Sequence, residues 1–284
     1  MARTITAHNG LGKVLVAVPY IRATGFSSGV NNPFPRSVCL LNSIAIMNSD
    51  PLKQLQLQQL ADSALPIGNA AHSFGLENLV MEGILSIERL RPVLCDYLSE
   101  GGRQEAAFCR AAHALAYNTS SSIHISDQKR WLELNRLLSA RKPARESRNA
   151  SVALGRRFLQ LISQLDTWPV IENAWAAAIE SGVDVHYANA FGLTGGALEL
   201  ETKVVVSMYL HQTIAALISA CQRLMPLGQT QASKILWDLK SKIVEIALEL
   251  EEEESLCEEM PCFMPLLDIS SMRHPFLVTR LFIS

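Results

Sequence analysis

The chain has 284 residues, 49% apolar and 18% charged, enough for a packed core and too apolar for a wholly disordered protein. A net charge of −2 and a pI near 6.4 give no electrostatic case for nucleic acid or an anionic membrane, since either partner wants a basic stripe. Six cysteines (Cys39, Cys95, Cys109, Cys221, Cys257 and Cys262) are spread along the chain without a CxxC pair, so they read as reduced thiols of a cytosolic protein and not as a disulfide framework.

Residues 1–46 differ from the rest. Gly10, Gly12, Gly25, Gly29, Pro19, Pro33 and Pro35 fall in a stretch with no sustained helical or strand period. The apolar runs Leu11–Ile21 and Val38–Met47 are too short to span a bilayer, Pro19 interrupts the first, and no clear small-residue cleavage site follows either. This segment is expected to be an N-terminal extension, either disordered or upstream of a true start at Met47. The folded part is then 47–284.

From there the expectation is helix throughout. Ser49 and Asp50 are cap candidates, followed by Pro51 at a first-turn position where its missing N–H costs nothing. Leu52, Leu55 and Leu60 open an amphipathic segment. Leu76, Leu79, Val80 and Ile84 repeat at a spacing of three and four, as do Phe108, Ala112, Leu115 and Ala116. Trp131, Leu134, Leu137 and Leu138 form another stripe, and Val152, Leu154, Phe158, Leu161, Ile162 and Leu165 a longer one. Trp175, Ala178 and Ile179 lead to Gly182, a candidate left-handed terminator. Further helices are expected over about Leu198–Leu224 and Gln229–Leu250. With no strand alternation past residue 50 and no fixed repeat, the fold class is all-α, a single multi-helix bundle-like domain.

Catalytic signatures are sparse. Gly10–Leu11–Gly12–Lys13 lacks both the earlier glycine and the Ser/Thr of a phosphate-binding loop, and HExxH, GxSxG and dinucleotide fingerprints are missing. Cys109 and His113 lie four apart with Tyr117 a turn further, spacing that suits two metal ligands and equally a buried thiol beside a hydrogen-bonded core histidine. The acidic run Glu249–Glu254 to Cys262 reads as a solvated face that could also meet a divalent cation transiently. His72, Ser73 and Glu77 are close in sequence, weak evidence for a catalytic set, because such sets are assembled in space.

Four blocks, in order, resemble the UreF family of urease accessory proteins. The first is Leu60–Glu77, where a leucine-rich helix runs into Pro66-x-Gly68, then His72–Ser73 and Gly75–Leu76–Glu77. The second is arginine-rich: Ala140–Arg141, Arg145–Arg148 and Leu154–Arg156. The third is Arg223–Leu224–Met225–Pro226–Leu227–Gly228–Gln229, and the fourth the tail Ile269–His274 with Thr279–Arg280–Leu281–Phe282 and Ser284. The likeness spans about Met47–Ser284. The chain departs from the family at Asn69–Ala70, where Gly-Phe is usual, at Pro275, where the tail usually has Glu, and at Ile283, where it has Arg.

The resemblance implies a non-catalytic scaffold that dimerises, binds UreD (also called UreH) and recruits the GTPase UreG. That complex governs the GTPase and promotes nickel insertion into apo-urease in the cytoplasm, with no cofactor and no permanent metal. On this reading His274, Arg280, Leu281, Phe282 and Ser284 are candidate partner contacts, with Phe282 as buried anchor and Arg280 as fork donor, into a partner or onto its own bundle. Pro66, Gly68, His72, Ser73, Gly75, Glu77, Arg223, Pro226, Gly228 and Gln229 are candidate structural or nickel-path positions. Pro66 and Gly68 form a bend, Gly75 admits a neighbouring backbone, and Arg223 is expected to cap the helix before Pro226. Two other readings stand beside it: a generic helical adaptor, and a metal-dependent hydrolase built on Cys109, His113 and His186 or His211.

Overall fold

The computed structural model describes residues 50–117, 125–253, 257, 259 and 262–284. The expected extension 1–46 and the cap candidate Ser49 lie outside them. Among the described residues the secondary structure is helical, without strands.

Helix α1 (Pro51–Leu60) starts as its sequence dictates: Asp50 accepts the Leu52 N–H at 2.9 Å and Pro51 occupies the first turn. Its buried side chains are Leu57 and Leu60, whereas Leu52 and Leu55 point outward. A short 3-10 turn at Asn69–Ala71 leads to α2 (Leu76–Met81), then α3 (Ile87–Tyr97), a π-turn (Leu98–Gly102) and α4 (Arg103–Ala116). The chain continues through α5 (Ile125–Arg141), α6 (Arg145–Leu165), α7 (Pro169–Glu180) and α8 (Tyr187–Ala197). It closes with α9 (Thr202–Leu224), α10 (Gln229–Glu252), α11 (Pro265–Arg273) and a 3-10 turn at His274–Phe276.

Helix α8 has no counterpart in the periodicity. Each residue from Tyr187 to Gly196 is buried, so no polar face marks it, and the helix expected from about Leu198 begins at Thr202. This helix fills the centre against α4. Gly192 makes room for the Cys109 carbonyl and Gly196 for that of His113, so the two backbones approach more closely than side chains would permit. On its other side Gly155 of α6 lies against the backbone of Val185–Tyr187. Phe158, Tyr187, Phe191 and Tyr209 complete the core with edge and tilted ring contacts at 5.3–6.1 Å.

Gly182 ends α7 with φ +59°, the expected left-handed terminator. Pro226 separates α9 from α10, as expected. By length and composition α9 is apolar enough to cross a membrane, yet 56% of its apolar window is buried inside the fold, which marks it as a core helix.

Candidate functional site

The first and last family-like blocks meet. Gly68 (φ +86°) turns the chain after Pro66 and presents the Ile67 carbonyl to Arg157 of α6 at 3.2 Å. Gly75 (φ +90°) starts α2, and a Cβ there would fall 2.9 Å from the Leu267 carbonyl and 2.8 Å from Ser271 Oγ. That contact seats α11 on α2, and Ser270 Oγ donates to the Gly75 carbonyl at 2.6 Å.

The tail then lies along residues 70–77. Ile283 N–H donates to the Ala71 carbonyl at 2.9 Å, and the Ser284 carbonyl oxygen accepts from Ser73 N–H at 2.5 Å and Ser73 Oγ–H at 3.0 Å. His72 Nδ1 and Ser284 Oγ are 2.8 Å apart. Burial, with the Arg157 charge adding to it, pushes the His72 imidazole down to about 4, so the ring is neutral here. Glu77 is only 2% exposed, and its carboxylate accepts the N–H of Leu281 at 2.6 Å and of Phe282 at 3.1 Å. The fully buried His274 ring bridges two carboxylates, Nε2 to Glu77 at 2.8 Å and Nδ1 to Glu146 at 2.6 Å. Arg280 reaches the other Glu146 oxygen at 3.5 Å from a half-exposed position.

Arg223 behaves otherwise than expected. Instead of capping its own helix, it donates to the Ala70 carbonyl at 2.5 Å and lies 4.3 Å from the Phe282 ring centroid. Phe282 is thus an anchor within its own chain, 4% exposed. Leu281 and Ile283, on the alternate side of the extended tail, point out at 63% and 67% exposed. Pro226, Gly228 and Gln229 stay at the α9–α10 corner and touch none of this network in the hydrogen bonds described.

Sequence reasoning missed Glu146, Arg157, Ser270 and Ser271. Glu146 sits inside the arginine-rich block and was legible only as one charge among several. The two serines look like exposed helix surface, yet both are buried.

The proposed metal-ligand residues have other partners. His113 places Nε2 2.8 Å from the Leu200 carbonyl and Nδ1 3.2 Å from Thr202 Oγ1. Burial pushes the Cys109 thiol well up. His186 uses both nitrogens on Ser139 and Ser151, at 2.7 and 3.0 Å, and burial, with Lys142 and Arg148 adding to it, pushes it down to about 3. His211 is half-buried and shifted down by that burial and by Lys240. Among the described residues no group of three or more His, Cys, Asp or Glu side chains is placed to hold a metal ion. Separately, a cavity of about 100 Å³ lies between α4, α6, α9 and α11, with Tyr97, Glu105, Lys142, Cys262 and Asp268 among its lining.

The UreF family model matches residues 84–240, which is more than half of the chain. The urease accessory protein UreF of Nostoc sp. is 33% identical over 230 residues, covering 80% of this chain and 94% of its own length. Those of Picosynechococcus sp. and Bacillus sp. are 31% and 28% identical, covering 81% of this chain in each case and 99% and 98% of their own lengths. The chain belongs to the UreF family. Membership sets it among urease accessory proteins, not enzymes. The docked tail and the Pro66–Glu77 segment both lie outside the stretch matched by the UreF family model, so the close contact between them comes from the fold alone.

Proposed function

We propose that residues 47–284 act as a non-catalytic scaffold that joins UreD/UreH and the GTPase UreG on apo-urease in the cytoplasm, so that nickel is inserted as the GTPase turns over. Family membership supports urease maturation, and one observation supports a docking surface. Helix α11 is inverted: Ser270 and Ser271 face inward, while Leu266, Ile269 and Met272 are 44–48% exposed. Phe276, Leu281 and Ile283 of the adjoining tail are exposed as well. A helix normally buries its apolar side, and contiguous exposed apolar surface marks a protein-binding face.

Docking of the tail onto its own chain refines the roles of the candidate residues. Glu77, His274, Phe282 and Ser284 hold the tail in shape, and Leu281 and Ile283 meet the partner. Co-purification with UreD and then UreG tests this through outward variants. Leu281→Asp with Ile283→Asp should abolish capture while thermal stability holds. Full capture by that variant would overturn the assignment of the tail as partner surface.

A further inference from the structure

Helix α6 turns a basic row toward solvent, opposite its core contacts. Its buried side chains include Ser151, Leu154, Phe158 and Ile162. At about 100° per residue, Arg145, Asn149, Arg156 and Gln160 fall on the outward face, and all four are exposed. Arg157 is exposed beside them, and the half-buried Val152 and Ala153 form a low floor between the two ends of the row. A cleft of about 520 Å³ opens along this face, with Asn149, Arg156, Arg157 and Gln160 on one wall and Asp184 of the α7–α8 connection on the other. Two guanidinium forks and two side-chain amides offer far more donors than Asp184 offers acceptors, so the cleft suits a ligand that brings acceptors and negative charge.

The chain leaves this charge largely uncompensated, although its net charge is −2. Helix α6 carries four arginines, Arg145, Arg148, Arg156 and Arg157, against one acid, Glu146. The Glu146 carboxylate is committed to His274 and Arg280. Among the described residues Arg145 and Arg156 have no hydrogen bond and no ion pair. Arg148 donates to the Lys142 carbonyl at 2.7 Å and Arg157 to the Ile67 carbonyl at 3.2 Å, and a carbonyl takes the hydrogen bond without cancelling the charge. The positive field reaches inward as well. Burial comes first for both buried histidines beside α6, but Arg157 also pushes His72 down, and Lys142 and Arg148 push His186 down.

Spacing decides which anion fits. Arg145 and Arg156 lie three turns apart, about 16 Å along the axis at about 1.5 Å per residue, so no single phosphate or carboxylate touches both. An extended peptide covers that distance in about five residues. Duplex nucleic acid is recognised by a longer track of cations on a basic protein.

We propose that the outward face of α6 docks an acidic peptide segment of a partner protein, with carboxylates paired to Arg145 at one end and to Arg156 and Arg157 at the other. This rests on the reading of the chain as a scaffold and gives it a second docking face, opposite in chemistry to the apolar tail. Arginine suits the task because its planar fork holds a carboxylate through two parallel hydrogen bonds. Exposed ion pairs are individually weak and screened by salt, so affinity comes from several carboxylates on one segment engaging together.

Fluorescence anisotropy of labelled hexaglutamate, titrated with the full chain at low salt, tests the proposal. Wild type should bind it, and should bind diglutamate, too short to reach both ends, about tenfold more weakly. Arg145→Glu and Arg156→Glu should each raise the Kd about tenfold, roughly one lost charge-assisted pair. Together they should abolish binding at an unchanged melting temperature, since both side chains are exposed. Lys234→Glu, on the exposed side of α10, makes the same change in net charge and should leave binding as it is. Equal loss with Lys234→Glu, or displacement of the peptide by inorganic phosphate, would overturn the assignment. Tighter binding of duplex DNA than of hexaglutamate would do so too. A wild type that ignores hexaglutamate yet captures UreD would sink the α6 face alone and leave the scaffold role standing.

Discussion

The carboxylate of Glu77 accepts the backbone N–H of Phe282 at 3.1 Å across 205 residues of chain. It thereby ties the first family-like block to the last. A carboxylate fits here because it accepts from several donors at once: two successive tail amides and the His274 ring. A neutral hydroxyl of the same reach would leave at least one donor unpaired.

Glu77→Ala should therefore cost about 3 kcal/mol, because it leaves two tail amides and the buried His274 ring without their acceptor. Amide hydrogen exchange at Leu281 and Phe282 should accelerate far more than exchange in α8. Uniform acceleration over the whole chain, or none at the tail, would contradict the clamp.

Gly75 and Gly83 separate backbone strain from packing. Both have positive φ, +90° and +69°, but only Gly75 has the Leu267 carbonyl and Ser271 against it, while nothing lies within 4 Å of the Gly83 position. Gly83→Ala should cost about 1 kcal/mol from the left-handed conformation alone. Gly75→Ala should cost about 2 kcal/mol more, because α11 must shift. Equal melting temperatures for the two variants would show that α11 does not press on α2.

Arg223→Ala removes both the Ala70 hydrogen bond and the cation over Phe282, and should lower stability by about 1–2 kcal/mol. Arg223→Lys keeps the charge but loses the planar fork, so it should recover only part of that. Full recovery by lysine, measured by urea denaturation, would mean that charge alone matters at this corner.

Acid should weaken the fold through its buried histidines. His72 and His186 have folded values lowered to about 4 and about 3 from an ordinary 6.5. Each ring is neutral in the folded chain and takes a proton more readily when unfolded. Their contribution is complete above about pH 6.5 and is lost as pH falls from there through the folded values. His72→Gln should flatten the loss between about pH 6 and pH 4 in denaturant titrations. An unaltered slope would remove His72 as a source of the acid sensitivity.

What was legible in the sequence followed from local physics. The start of α1 at Asp50 and Pro51, the stop at Gly182 and the corner at Pro226 follow from capping and backbone geometry within a few residues. The stripes of α4, α5 and α6 were readable because each helix has one wet and one dry face. Helix α8 was not, since burial on all sides erases the period on which such reading depends. The resemblance identified the residues of the tail and of the Pro66–Glu77 segment but not that they touch.

By itself the sequence determined an all-helical class, the helix ends set at Asp50–Pro51, Gly182 and Pro226, and the family. Only the tertiary structure decided which groups pair across about two hundred residues. Arg223 was expected to serve its own helix and instead serves Phe282 and Ala70. Phe282 turns inward while Leu281 and Ile283 turn outward. Helix formation is settled by contacts three and four residues apart, so it is written locally. The tail's placement is settled by buried donors finding acceptors on remote helices, and no local pattern records where those acceptors will be.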